Sequence, residues 1–155
     1  MTTETKLGHI ADVPVQVGIP AGIANPVKPA LFAGKSEAQL GKRVGMSQFG
    51  VNHLSLKPGA ISALRHWHES EDEFVYVLDG ELTLVDDNGE HRLRPGSFVG
   101  FPAGATNAHH LINKSQRAAS FLVIGTRKVG REVIHYPDDP VGPVTIDRDS
   151  RGERM

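Results

Sequence analysis

The chain of 155 residues contains no cysteine. That excludes disulfides, thiolate zinc sites and a cysteine nucleophile, and it fits a reducing compartment. No charge of one sign dominates: 17 Lys and Arg stand against 18 Asp and Glu, for a net charge of −1. Neither a nucleic-acid partner nor an acidic membrane surface is favoured by that balance. There is no apolar run of the roughly 18 residues that a membrane-spanning helix needs. The opening MTTETKLGHIADVP lacks the basic-then-apolar layout of a secretory signal. These absences set the expectation of a cytoplasmic protein with no nucleic-acid or membrane partner. The length favours one compact domain, large enough to bury a core without cross-links.

What the chain does have is 17 glycines and 10 prolines, scattered between short apolar runs without a repeat. An all-β protein with many turns reads this way. Residues 1 to about 30 are expected to be an irregular arm, broken by Pro14, Pro20, Pro26 and Pro29, with one short strand at Val13 to Val17. The segment KSEAQLGKR (35–43) suggests a turn of helix. From Phe49 the pattern changes. FGVNHLSL, ISALRHWH, EFVYVL, ELTLV, HRLR, SFVGF, HHLIN and ASFLVIGT read as successive strands separated by turn signals. In EFVYVL, Glu73, Val75 and Val77 share one face and Phe74, Tyr76 and Leu78 the other. DDNG (86–89) marks a hairpin, with Asn-Gly expected to take positive φ. Turn signals every 8 to 12 residues point to a sandwich or barrel. The stretch from Pro137 onward is expected to be loop.

One segment carries chemistry: HWHESEDEF, residues 66–74. On a strand, His66 and His68 point to the same face, so two imidazoles could bite one ion. Glu73 begins the next strand on the face of Val75 and Val77 and could join them across the ladder. Imidazole with carboxylate suits first-row metals such as manganese, iron, cobalt, nickel or zinc. Taken alone, such a histidine pair is more often a polar bend. The neighbouring acids Glu69, Glu71 and Asp72 are expected to line a loop in solvent.

The spacing extends beyond that segment. Gly59, six residues, His66-x-His68, four residues, Glu73, six residues, Gly80 resembles the first motif of the cupin family. The usual form has five residues before the first histidine. Gly96, five residues, then Pro102-Ala103-Gly104 resembles the second motif. The usual histidine position there holds Asn107. His109, two residues later, has Asn113 four after it, as a two-residue insertion would leave it. The resemblance spans about residues 45–127, with 1–44 as arm and edge segments and 128–155 as a C-terminal extension. QFGVN, RHWHESEDEFVYVLDGEL, AHHLIN and HYPD make the wider pattern similar to small stand-alone bacterial cupins.

The resemblance implies a single-domain double-stranded β-helix, or jelly-roll barrel, with a divalent first-row metal inside its mouth. The implied ligands are His66, His68, Glu73 and His109, with His110 as the alternative to His109. If neither of the last two binds, a 2-His-1-carboxylate site remains. The implied function is action on, or binding of, a small molecule: a metal-dependent isomerase, a dioxygenase, or a non-catalytic binding cupin. No catalytic residue can be assigned from the sequence; His110, His53 and the acids 69–72 are the spare candidates for a base. Val75, Val77, Phe101 and Leu111 could line an apolar pocket.

The remaining residues read more plainly. Trp67 is expected to pack on the outer sheet or at a dimer contact, and Tyr76 in the core. His53 reads as structural, and His9, His91 and His135 as surface residues. Arg65 and Arg92 read as solvated, and Asn107 as a residue of the pocket entrance. An open sheet edge is a liability, which leads to the expectation of a homodimer.

Overall fold

The computed structural model describes residues 4–19, 29–140 and 142–155. Its largest sheet has six strands in the order β1 (Val15–Val17), β2 (Lys35–Gln39), β3 (Phe49–Leu56), β10 (Ala119–Thr126), β5 (Glu73–Asp79) and β8 (Phe98–Phe101). All of its neighbours run antiparallel. Two smaller sheets face it. One joins β7 (Gly89–Leu93), β6 (Leu82–Asp86) and β9 (His110–Ile112); the other joins β12 (Val144–Arg148), β11 (Gly130–His135) and β4 (Trp67–His68). Single bridges, His66 to His109 and Ile61 to Ile112, stitch the stretch before β4 to the β9 region. The result is a jelly-roll barrel.

Strand alternation decides which side chains enter it. Along β5, Val75 and Val77 are fully buried, while Phe74, Tyr76 and Leu78 are each more than a third exposed. Leu54, Phe121 and Val77 lie in register across β3, β10 and β5 and form one layer of the core, with Leu56 and Ala119 in the next. Leu82, Leu84, Leu93 and Leu111 close it from the facing sheet. The apolar filling stops at Val75 and Val123. Beyond them the inward row consists of Gly50, Gly125, Glu73 and Phe101. The site lies at this end of the barrel.

Several expectations change. Tyr76 lies on the outer face instead of in the core, as the parity of β5 requires. ISALRHWH is strand only at Trp67–His68. The Ser62 hydroxyl accepts the Leu111 amide at 2.9 Å, so a side chain replaces a ladder bond and the backbone bends. KSEAQLGKR divides into β2 and one helical turn, α1 (Leu40–Arg43). In the β6–β7 hairpin no non-glycine residue takes positive φ; that conformation falls on Gly89 alone. The stretch from Pro137 onward contains β12, which forms a hairpin with β11. Pro20 and Pro26 of the expected arm lie outside the described residues, whereas β1 pairs with this chain's own β2. Among the described residues no helix is long and apolar enough to cross a membrane.

Candidate metal centre

His66 and His109 exchange both backbone hydrogen bonds, at 3.1 and 2.9 Å, and their rings lie 4.9 Å apart. His68, two residues on, presents its ring 5.0 Å from that of His66. Its carbonyl accepts the Gly104 amide at 2.9 Å, which ties the Pro102-Ala103-Gly104 turn to the histidine pair. Glu73 enters from the opposite sheet. Its carboxylate lies 3.0 Å from His109 Nε2, 3.5 Å from His68 Nε2 and 4.0 Å from His66 Nε2. His66, His68 and Glu73 form a compact cluster that could hold a metal ion, their ligand atoms all within 4.8 Å of one another, and His109 adjoins it through Glu73.

Each imidazole is held at its far nitrogen. Nδ1 of His66 is 2.7 Å from the Leu64 carbonyl and Nδ1 of His109 is 3.2 Å from the Asn107 carbonyl. A carbonyl only accepts, so both Nδ1 atoms carry the proton and both Nε2 atoms face Glu73. Nδ1 of His68 is 3.3 Å from Oε1 of Glu132, a residue only 1% exposed. An outer acceptor on Nδ1 orients a histidine toward a metal, which at Nε2 would take the place of the proton given to Glu73. Phe101 stacks flat on the His109 ring at 3.4 Å and fixes its plane.

Burial opposes ionisation of Glu73, yet the hydrogen bond from His109 and the close imidazoles of His66 and His68 hold its carboxyl well below the usual value. For His68, burial favours the neutral ring, but Glu73 and then Glu132 outweigh it and raise the pKa. Both ring nitrogens of His68 and Oε1 of Glu132 are buried without a well-aligned hydrogen-bond partner. The ion-pair distances are met, but the angles are not. Three imidazole nitrogens and a carboxylate, with His68 unsatisfied at both ring nitrogens, are a donor set that a divalent first-row cation would complete.

His110 is turned away. Its Nδ1 contacts the Ala63 carbonyl at 2.9 Å, and burial lowers its pKa. Asn113, fully buried, donates to the carbonyls of Leu56 and Arg117 and accepts from Ser115. Its place in the motif serves a turn and touches none of the imidazoles. Asn107 braces the hairpin: its oxygen accepts the Asp87 amide and its amide donates to Asp86. His53 pairs with outward-facing Ala38 and Leu122 and so sits outside the barrel. Val75, Val77, Phe101 and Leu111 belong to the packed core.

Other polar residues depart from expectation. Glu71 is 5% exposed and bound by both arms of Arg148, at 2.6 and 3.2 Å, so it does not lie in solvent. Arg65 is not solvated: it forks onto Asp138 at 2.6 and 2.9 Å and also pairs with Asp87. His135 is half-buried, stacked on Trp67 at 4.2 Å and bonded to Glu69 at 2.7 Å. Trp67 thus packs outside the site, as its parity suggested.

Three polar residues near the site escaped sequence reasoning. Glu132 alternates with buried Ile134 on β11, and a glutamate on the apolar parity of a strand was the available signal. Tyr136 lies 5.9 Å from His66, ring to ring. Lys35 pairs in register with fully buried Leu56 and so points inward, where Nζ donates to the Ser62 carbonyl at 2.6 Å. Burial lowers its pKa, against the opposing pull of Glu37 and Glu73. A cavity of about 470 Å³ beside the site is lined by Trp67, His135 and Tyr136 and by Pro137, Asp139, Pro140, Gly142 and Pro143.

A family model for the cupin domain matches residues 52–125. A sugar phosphate isomerase from the cupin superfamily of Silicibacter pomeroyi is 38% identical, with a TM-score of 0.78 over 92% of both chains. The chain belongs to the cupin superfamily. A protein from Acidithiobacillus ferrooxidans is 33% identical over 78% of this cupin and 74% of its own length, with a TM-score of 0.68. The quercetin 2,3-dioxygenase of Bacillus subtilis is 33% identical over 60 residues, which make up 39% of this cupin and only 18% of that enzyme.

Proposed function

We propose that this cupin binds one divalent first-row transition metal through His66, His68, Glu73 and His109 and isomerises a small hydroxy-carbonyl substrate of the sugar phosphate class. The observation that carries the metal reading is the convergence of three Nε2 atoms on the Glu73 carboxylate, each imidazole held from behind. The substrate class rests on the relative that matches 92% of the chain. A metal bound here would supply Lewis-acid polarisation of a carbonyl beside a hydroxyl. The protein's part is to orient the imidazoles, exclude water behind them with Phe101 and the core, and move a proton between adjacent carbons. Lys35 is the candidate base: it faces inward, and burial favours its neutral amine.

Metal content measured by mass spectrometry on tag-free protein, beside the His66/His68 double alanine variant, tests the first half. One ion per chain, lost in the variant, is expected; equal metal in both would sink the ligand set. Aldose–ketose interconversion of sugar phosphates tests the second half, with Lys35→Met expected to lose turnover and keep metal. The short match to the quercetin dioxygenase favours a second reading, oxygen chemistry on a chelating substrate. Oxygen uptake without interconversion would move it to first place. Metal without turnover in either assay would leave a non-catalytic binding cupin.

We also infer a homodimer formed on the outer face of the six-stranded sheet. Register places Val15, Val51, Phe74, Tyr76, Phe98, Leu122 and Ile124 on that face. Phe98 is 68% exposed and Val15 57%. Six strands about 4.8 Å apart, each several residues long, give a projected area of roughly 600 Å² before side-chain relief. That approaches the ~800 Å² per partner of a standard interface. Light scattering at micromolar concentration should give twice the chain mass, falling to one with Phe98→Glu; a monomeric wild type ends this inference.

A further inference from the structure

We propose that Arg127 and Arg154 form a binding site for the phosphoryl group of a phosphomonoester at the rim of the barrel, beside the metal centre. This rests on the reading of that end of the barrel as a small-molecule site.

The placement of Arg127 follows from a glycine. Gly50 pairs with Gly125, and Gly125 with Glu73, so all three occupy the inward row at the open end. A Cβ on Gly50 would lie 2.7 Å from Nε of Arg127 and 3.1 Å from Nη2. The guanidinium therefore occupies the space of the missing side chain, on the inner face and two strands from Glu73. The backbone behind Arg127 is clamped: a Cβ on Gly152 would come within 2.9 Å of Arg127 Cβ and 2.3 Å of the Ser47 carbonyl.

Arg154 arrives from the other side. It bridges to Arg148 as an antiparallel pair, which sets the two side chains on one face. Arg148 is neutralised by its fork onto Glu71. Neither Arg127 nor Arg154 has a carboxylate partner among the described residues, and no Asp or Glu lies outside them. Arg148 and then Arg127 act on Arg154 as like charges, while Tyr136 and Glu71, the latter already forked by Arg148, lie in reach with the opposite sign. Tyr136 faces His66 on its other side and connects the pair to the metal centre.

Three guanidinium groups, those of Arg127, Arg148 and Arg154, thus share the carboxylate of Glu71, and positive charge is in excess there in the free protein. A doubly charged oxyanion relieves that excess, and phosphate matches the guanidinium fork. Its tethered carbon chain would extend past Tyr136 toward the Nε2 cluster.

The test is calorimetric titration of the full chain with inorganic phosphate, glucose 6-phosphate and glucose, in metal-loaded and chelator-stripped protein. Wild type is compared with Arg127→Gln, Arg154→Gln, the double variant, and Arg117→Gln, whose partner is Asp79 on the exposed surface. Each site variant should weaken inorganic phosphate and glucose 6-phosphate binding by roughly tenfold or more. Arg117→Gln should bind as wild type, glucose should bind far more weakly than its phosphate, and all variants should keep wild-type melting and metal content. Phosphate binding that survives the double variant, or a wild type that binds no phosphate at millimolar concentration, overturns the site. Phosphate binding lost in the double variant of a protein that never retains metal upholds the anion site while refuting the metal reading.

Discussion

Replacing Glu132 by glutamine separates what this buried carboxylate does for the fold from what it does for the site. The residue is 1% exposed; Oε2 accepts the Ser70 amide at 2.9 Å and Oε1 lies 3.3 Å from His68 Nδ1. Glutamine has the same length and can still accept from Ser70, so no cavity opens and no backbone donor is orphaned. It loses the charge that attracts the imidazole across 3.3 Å, and a neutral acceptor is worth about half as much. Removing such a partner typically raises a metal dissociation constant about 10- to 100-fold, or roughly 1.4–2.7 kcal/mol. Burial, and then Glu71, raises the pKa of Glu132. Glutamine removes that cost of holding a buried charge, so melting of the metal-free protein should stay level or rise slightly. The assay is competition against a chromogenic chelator, with thermal melts of the metal-free proteins in parallel. An unchanged metal affinity would refute the orienting role, and a collapse of the metal-free melt would make Glu132 structural instead.

Further tests follow from contacts elsewhere. His109→Ala should weaken metal binding by at least tenfold, whereas His110→Ala, whose ring contacts the Ala63 carbonyl, should leave it unchanged; chelator competition reads both, and the reverse order would move the fourth ligand. Arg148→Ala leaves Glu71 buried and unpaired, and should cost about 3–5 kcal/mol in urea unfolding; a loss within the range of a surface substitution would place Glu71 in contact with water. Hydrogen bonds from Arg65 lower the pKa of Asp138 from its ordinary 3.8. A depressed carboxyl stabilises the fold above that value, and the contribution fades as pH falls through the lower folded value. The melting difference between wild type and Asp138→Asn should therefore be full at neutral pH and vanish in strong acid; a difference that grows in acid would contradict the pairing.

The β5 strand shows what was legible in the sequence and why. Its period of two assigned Val75 and Val77 to the core and Glu73 to the same face, because burial on a strand depends only on parity and both neighbours are in plain view. The histidines converged for the same reason, and HxH needs no distant information. Tyr76 was misplaced when residue type was read ahead of parity. Ser62 hid the bend before β4, since nothing local distinguishes a serine that caps the Leu111 amide from one in a ladder. Glu71 and Glu132 escaped for a different reason. Glu71 is buried only because Arg148, 77 residues away, meets it, and Glu132 because Ser70, 62 residues away, bonds it. A charge looks solvent-bound in sequence until its partner is located, and partners at that separation leave no local trace.

The two-residue strand β4 holds the backbone of His68 by pairing with Ile134 and His135 of β11, and with no other strand among the described residues. During synthesis the chain emerges from its N-terminus. A nascent chain released as far as Thr126 contains His66, His68, Glu73 and His109 and all six strands of the large sheet, yet it lacks the strand that sets His68 in place and the glutamate behind it. A metal site built on these side chains would thus be completed only once β11 has emerged. A chain stalled before β11 would carry all four of these side chains and still lack the strand that seats one of them and the carboxylate behind it.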